Sequence, residues 1–243
     1  MSQLLIPFEL QETKKFDLFF SIEQEWMVAA LKDWVNRDID SAPFCWIWGG
    51  GGVGKSHLLS AVGYELLNKG RVFYLDLSNI ASYEPDIMSN LSSSYVICID
   101  NVDAVVSNHA WEKALFSLYN DAVMMLNCKL IVTASMPSKH LGFSLPDLRS
   151  RMSQGLELEV KKLSVENLAK AIIFRAKFLG FELSSSVVNY LMIHFSSCSK
   201  CLFGYLDLLK DFSWQNKRKI TIPLVKNVAD SLVKCNRCVG GFE

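Results

Sequence analysis

Neither sign of charge is in excess in this sequence: Lys plus Arg and Asp plus Glu each number 25 in 243 residues, a formal net charge of zero. A chain so balanced has no long-range field to draw it as a whole onto nucleic acid, so any link to DNA is expected to run through a partner. Long apolar runs are missing as well, none approaching the ~20 residues that cross a bilayer. No basic stretch leads into an apolar block at the start, as it would in a secretory signal. Internal repeats, low-complexity tracts and long linkers are also lacking. Together these absences exclude membrane-spanning, secreted and repeat classes and leave a globular, cytoplasmic protein as the expectation.

What is present is apolar material, half of the residues, enough to bury the core of one α/β domain and a small helical appendage. Seven cysteines in such a chain are expected to be reduced thiols packed as small hydrophobes. Four fall in two pairs, Cys198 with Cys201 and Cys235 with Cys238, a spacing that zinc sites share. Neutral cysteines are the expectation here, because the gap between the pairs is long and the first pair lies where a packed helix should begin.

The hydrophobic pattern changes near Leu163. Before it, Phe44 to Trp48, Val72 to Leu77, Tyr95 to Ile99 and Leu130 to Ala134 read as buried strands alternating with helical segments, the pattern of a parallel sheet with helices on both faces. After it only helical periodicity remains. Ser164 caps a helix expected to run through Leu179 to Gly180, Ser184 caps another through Phe195, and two more follow around Leu202 to Lys217 and Pro223 to Leu232. The expected organisation is a tail over 1–12, an α/β nucleotide-binding domain over 13–162, a small all-α lid over 163–234 and a C-terminal tail over 235–243.

The segment Gly49-Gly50-Gly51-Gly52-Val53-Gly54-Lys55-Ser56 matches the phosphate-loop pattern GxxxxGK[ST] in full, between an apolar strand and a helix. Glycines are required because only backbone without side chains wraps closely enough to aim its N–H groups at phosphate oxygens. Lys55 would neutralise the β- and γ-phosphates and Ser56 would hold Mg²⁺, with the helix that starts here, including His57, turning its positive end toward the same charge. A second strand ends in Asp100, the expected carboxylate on the metal side. The next position, where hydrolysing members of this class carry a water-polarising carboxylate, is Asn101, and an amide is not an effective base. Asp103 could substitute only if the turn carried it inward.

Around this loop, Cys98 to Asp103, Trp111-Glu112 through Leu118-Tyr119-Asn120, Leu145 to Leu148 with Ser150-Arg151, and Arg218 to Pro223 occur in the order in which AAA+ proteins of the DnaA branch carry them. The sequence resembles the Hda group of that branch more closely than DnaA. The resemblance implies an AAA+ nucleotide-binding domain with a helical lid, holding ADP or ATP. It makes Arg151 the arginine finger that reaches a neighbouring subunit's nucleotide, with Arg149 as the rival. It points to Thr133 or Ser135 as the polar sensor at the end of the fourth strand, and to Lys200 at the lid-sensor position where the family has arginine. For the adenine side it points to Phe16, Phe19 and Gln24, the last where an asparagine would be expected.

At the N-terminus, Gln3-Leu4-Leu5-Ile6-Pro7-Phe8 resembles the peptide by which the Hda group binds the sliding clamp, the β subunit of DNA polymerase III. Pro7 fixes its own φ and keeps Ile6 extended, which lowers the entropy lost on docking. Leu4, Ile6 and Phe8 would fill an apolar pocket and Gln3 would supply an oriented amide. The sequence ends soon after Leu232, and no further DNA-binding domain of the DnaA kind is expected. The resulting expectation is a regulator of replication initiation with weak hydrolysis of its own, able to self-associate, meeting DNA only by way of the clamp. From there it stimulates hydrolysis by DnaA. The alternatives are a self-contained ATPase resembling a helicase loader, and a clamp-tethered adaptor that stimulates nothing.

Overall fold

The computed structural model describes residues 14–38, 43–89, 91, 94–125, 128–195, 199–216 and 220–234. Its contacts divide the chain into two compact units, Met1–Lys162 and Leu163–Glu243. The first is built on five strands: β1 (Phe44–Trp48), β2 (Arg71–Asp76), β3 (Ser94–Asp100), β4 (Lys129–Ala134) and β5 (Leu156–Glu159). They form one sheet in the order β2-β3-β4-β1-β5 with every neighbouring pair parallel. Four of the strands are those expected from their apolar runs. The fifth, Leu-Glu-Leu-Glu, alternates in polarity because it lies at a sheet edge.

Alternation along the strands sorts the core into two layers. Phe44, Trp46, Ile97, Ile99, Leu130 and Val132 face one side, where α3 (His109–Tyr119) and α4 (Pro146–Met152) cover them. Cys45, Ile47, Val96, Cys98 and Ile131 face the other, under α1 (Glu25–Asn36) and α2 (Lys55–Leu66). A central strand flanked by paired neighbours and covered on both faces has no solvent side, which is why these strands read as continuous apolar runs.

Among the described residues of this unit three charged side chains are enclosed, Lys129, Glu112 and Asp100, and each is hydrogen-bonded as burial demands. Lys129, at the first position of β4, is fully buried. Its Nζ donates to Trp34 O (2.5 Å), Val35 O (2.9 Å) and Arg37 O (2.7 Å), the carbonyls left open at the C-terminal end of α1, and lies 4.8 Å from the Trp34 ring centroid. Burial, helped by repulsion from Lys69, pulls its pKa down to about 8, so the ammonium keeps its proton at neutral pH. Glu112 on α3 is equally enclosed. Its carboxylate accepts from Ser107 N (2.8 Å), Ser144 N (3.0 Å), Ser144 Oγ (2.9 Å) and Leu145 N (2.9 Å). Leu145 is the N-cap residue of α4, so Glu112 fixes where that helix begins.

Burial alone would raise the pKa of Glu112, but the hydrogen bonds from Ser144, Leu145 and Ser107 outweigh it and hold the carboxyl below its usual range. A carboxylate of depressed pKa stabilises the fold fully above its unfolded pKa of about 4.3 and loses that contribution as pH falls through the lower folded value. Glu112→Gln turns an amide NH₂ toward donors and is expected to cost about 2 kcal/mol at pH 7. Urea unfolding should show this gap shrinking below pH 4; a gap of equal size at pH 7 and pH 3 would contradict the role of the charge.

The second unit is all-helical: α5 (Val165–Phe178), α6 (Ser185–Phe195), α7 (Ser199–Asn216) and α8 (Ile222–Lys234). Ser164 Oγ accepts from Asn167 N (3.3 Å) at the start of α5, a cap worth about 1 kcal/mol. Gly180 ends the segment at φ +85°, with Phe181 N donating to Ala176 O (3.1 Å), a conformation open to glycine and costly to other residues. Its core gathers Leu168, Ile172, Leu191, Leu206, Leu209 and Val225. Tyr205 donates its hydroxyl to Val225 O, tying α7 to α8. Arg175 pairs with Asp207 at 2.8 Å.

Cys45, Cys98 and Cys128 are free, buried thiols whose pKa burial pushes up. The expectation of a reduced thiol fails at Cys201, which is disulfide-bonded. Cys201 is only half-buried on the first turn of α7, so it is not enclosed by apolar side chains as the other three are. A sulfur in a disulfide is not a thiolate for zinc, and no cluster suited to a metal occurs among the described residues. Cys198, Cys235 and Cys238 lie outside the described residues, as does the segment Gln3, Leu4, Ile6, Pro7, Phe8. Among the described residues no helix is long and apolar enough to cross a membrane.

Candidate functional site

Open α/β sheets bind ligands at the C-terminal ends of their parallel strands, and in this sheet β1 lies between β4 and β5, paired with both. There β1 runs into the glycine loop, which leads directly into α2 at Lys55. Two of its glycines are required by their surroundings. A Cβ at Gly49 would stand 2.2 Å from Val160 O, and one at Gly54 (φ +108°) would stand 2.7 Å from the Phe19 ring. Gly50, Gly51 and Gly52 curve through solvent, and Val53 packs half-buried against the α1–α2 layer.

Lys55 folds back along this loop, its Nζ donating to Gly49 O (2.6 Å) and Gly50 O (2.9 Å). Burial lowers its pKa, and the negative charges of Asp103 and then Asp100 oppose that shift. The hydroxyl of Ser56 has no protein partner among the described residues, which suits a ligand for a cation. A backbone concavity ending in an ammonium and a free hydroxyl at a helix start fits the phosphates of a nucleotide and their Mg²⁺.

Asp100, 1 % exposed at the end of β3, is held from both sides. Its Oδ2 accepts from the Tyr74 hydroxyl on β2 (2.8 Å), and its Oδ1 accepts from the Thr133 hydroxyl on β4. Thr133 Oγ1 also accepts from Asn101 N (3.0 Å). Asn101 takes the left-handed conformation (φ 59°, ψ 52°), which asparagine tolerates better than most residues. Its side chain turns to β2, Nδ2 donating to Asp76 Oδ1 at 2.8 Å. The turn so made carries Asp103 back to the sheet, where its carboxylate accepts from Ser135 N (2.9 and 3.0 Å) and from the Ser135 hydroxyl. The two candidate sensors are therefore divided: Thr133 serves Asp100, and Ser135 serves Asp103.

On the other side of the loop, Phe19 stacks edge-on against His57 with centroids 5.5 Å apart, and His57 Nε2 lies 2.9 Å from Lys15 O. Phe16 is buried beneath them in the α1–α2 layer. Gln24 is 3 % exposed and clasps one backbone residue twice, Nε2 donating to Lys161 O (2.9 Å) and Oε1 accepting from Lys161 N (2.7 Å). The clasp fastens the entry of α1 to the chain just beyond β5.

Arg151 and Arg149 both fall in the last turn of α4. Arg149 is exposed and Arg151 half-buried, and neither forms an ion pair among the described residues. Arg151 lies near enough to Tyr119 for its charge to oppose the rise that burial causes in that phenol's pKa. Lys200 lies on the first turn of α7 in the second unit, and its side chain is outside the described residues.

Of the sequence-expected residues, the structure brings Lys55, Ser56, Asp100 and Thr133 together with the glycine loop. Sequence reasoning missed Tyr74, Asp76 and Glu112. The signal for Tyr74 was a lone hydroxyl in an apolar strand, informative only once the pairing of Tyr74 with Cys98 sets it beside Asp100.

Comparison with known proteins gives the family and the fold. The model for the bacterial DnaA ATPase domain matches residues 10–159, and that for the Hda lid domain matches residues 166–229. Among solved structures, domain III of the Thermotoga maritima replication initiation protein DnaA superposes with a TM-score of 0.75 at 18% identity, covering 93% of this chain and 100% of that one. AMPPCP-bound DnaA from Aquifex aeolicus gives 0.69 at 20% identity, over 84% of this chain and 66% of that one. The Holliday junction branch migration motor RuvB of Thermotoga maritima gives 0.63 at 21%, over 90% and 72%.

Proposed function

This chain belongs to the DnaA-related AAA+ family, joining a DnaA-type ATPase domain to an Hda-type lid, and from that premise we propose that it is a nucleotide-bound regulator of replication initiation that stimulates ATP hydrolysis by DnaA. The glycine loop from Gly49 to Gly54 binds the phosphates of ADP or ATP, with Lys55 neutralising them. Ser56 and Asp100 hold Mg²⁺, which when bound neutralises phosphate charge. Phe19, Gln24 and His57 frame the adenine side, Gln24 by fixing the backbone at Lys161. Thr133 orients Asp100, and Lys200 takes the lid-sensor position of the helical lid, which spans 163–234. The protein acts in the cytoplasm.

The observation that supports this reading most is the turn at Asn101. An intact phosphate cradle is joined to a strand end whose water-polarising position is an amide directed away to Asp76, and Asp103, which the turn returns to the sheet, has both carboxylate oxygens engaged by Ser135. Such a site keeps its nucleotide and hydrolyses it poorly. The productive guanidinium, that of Arg151, then serves the site of another subunit. Residues 3–8 bring the protein to DNA-loaded sliding clamps, the β subunit of DNA polymerase III, where it packs against ATP-bound DnaA. Self-association and contact with DNA only through the clamp complete the proposal.

Deleting residues 3–8 tests it. The truncated protein is expected to bind nucleotide as before, to lose retention on clamp-loaded DNA in gel filtration, and to lose at least tenfold in stimulated hydrolysis by DnaA at low protein concentration, because tethering supplies effective concentration. Undiminished stimulation by the truncated protein would rule out recruitment through the clamp.

A further inference from the structure

Between α1, α2 and the single helical turn Phe16–Leu18 lies a cavity of about 340 Å³. Phe16, Val35 and Ala61, all buried, line it together with the half-buried Tyr64. Two lysines border it with their ammoniums over aromatic rings: Lys15 Nζ is 4.4 Å from the centroid of Tyr64, and Lys32 Nζ is 5.4 Å from that of Phe16. Lys32 also meets Asp17 at 3.5 Å, but that carboxylate is 90% exposed, and Glu65 is exposed too, so water screens both acids. Ala61 and Tyr64 stand roughly 9 and 14 Å along α2 from Lys55, at 1.5 Å per residue, which sets the cavity apart from the phosphate loop.

The segment 1–13 joins the fold at this cavity, because Lys15 and Phe16 line it. That segment combines apolar side chains with Glu9 and Glu12 and contains no lysine or arginine, a complement to an apolar floor beside two ammoniums. From Phe8 to Lys15 the chain spans up to roughly 23 Å, enough to turn back and bring the Phe8 ring to Phe16 and Tyr64. Resting on the clamp reading above, we propose that the cavity is the docking site of the chain's own segment 8–13, with Phe8 filling it and Glu9 and Glu12 meeting Lys15 and Lys32. Phe8 is an anchor of the clamp peptide, so docking here and docking on the clamp exclude each other. A tether this short supplies an effective concentration on the order of millimolar, so a contact too weak to form between separate molecules keeps a large share of the chains closed. Only the open share binds the clamp, and apparent affinity falls by that fraction.

Titration of a fluorescently labelled sliding clamp with the full chain tests the proposal. Lys15→Glu combined with Lys32→Glu turns the cavity against Glu9 and Glu12 and is expected to tighten clamp binding roughly three- to tenfold, as closed chains open. Adding Glu9→Lys and Glu12→Lys to that variant restores the attraction and should return the dissociation constant to within about twofold of wild type. A fluorine label on the Phe8 ring gives an independent reading. Its resonance in the full chain should differ from that in a synthetic peptide of residues 1–13, and should move to the peptide's position once both lysines are reversed. Clamp affinity unchanged within about twofold by the lysine reversal, or a Phe8 resonance identical in peptide and full chain, overturns the inference and leaves recruitment by the clamp standing. If neither the full chain nor the peptide binds the clamp, recruitment itself falls and takes this inference with it.

Discussion

Replacing Arg151 by Ala is expected to remove the stimulated component of DnaA-dependent ATP hydrolysis, a loss of roughly 10³-fold or more, while clamp binding and nucleotide content stay as in the wild type. A guanidinium supplied in trans lowers the barrier by about 4 to 7 kcal/mol because it stabilises charge that grows only in the transition state. Arg151 suits that use. It stands at the end of a short helix whose start is pinned by Glu112, and no carboxylate among the described residues draws its charge away. Arg149, two residues back, points about 200° around the same helix and is not expected to replace it. Arg151→Lys should recover little, since a lysine lacks the planar fork that spans two oxygens. Turnover of radiolabelled ATP with loaded clamp, DnaA and each variant decides the matter. If Arg151→Ala stimulates as well as wild type and Arg149→Ala does not, the finger is Arg149. If neither matters, the protein is a tether without a catalytic contribution. Hydrolysis by the chain alone, lost in Lys55→Ala, would instead mark a self-contained ATPase.

The largest effect on stability is expected at Lys129. Lys129→Met keeps the length of the side chain and removes the ammonium, leaving Trp34 O, Val35 O and Arg37 O without their buried donor. Leaving a buried acceptor without its donor costs about 1 to 3 kcal/mol each, so losing all three is expected to cost on the order of 3 to 5 kcal/mol, a large share of the 5 to 15 kcal/mol that holds a typical domain. Urea unfolding followed by tryptophan fluorescence should show a midpoint lowered accordingly. A loss under 1 kcal/mol would mean that water reaches those carbonyls and that the helix end does not depend on the lysine.

How far the sequence carried depended on whether the determinant was local. The strands at Phe44, Val72, Tyr95 and Leu130 were legible because burial on both faces leaves an unbroken apolar run. The helices after Ser164 and Ser184 were legible because a capping hydroxyl sits next to a periodic stretch. The phosphate loop was legible because its chemistry needs consecutive residues. Lys129 could not be placed from sequence: it opens an apolar strand, and its partners lie more than 90 residues earlier. The Tyr74–Asp100 and Asn101–Asp76 contacts likewise exist only through the pairing of β2 with β3. Gln24 shows the same limit from another side. Its position suggested the adenine wall, and the fold reveals an amide occupied by the backbone of Lys161, 137 residues away.

The sheet order has a consequence for the newly made chain. β1, the strand that carries the phosphate loop, pairs with β4 and β5 alone, and Phe44 meets Leu130 only after another 86 residues have been synthesised. During translation β2 and β3 can meet first, while Phe-Cys-Trp-Ile-Trp emerges early with no strand to receive it. Loops of that length are slow to close, and an apolar segment left waiting is the natural target of a holding chaperone on the ribosome. The last strand to leave the tunnel, β5, is therefore the one that completes the nucleotide-binding edge.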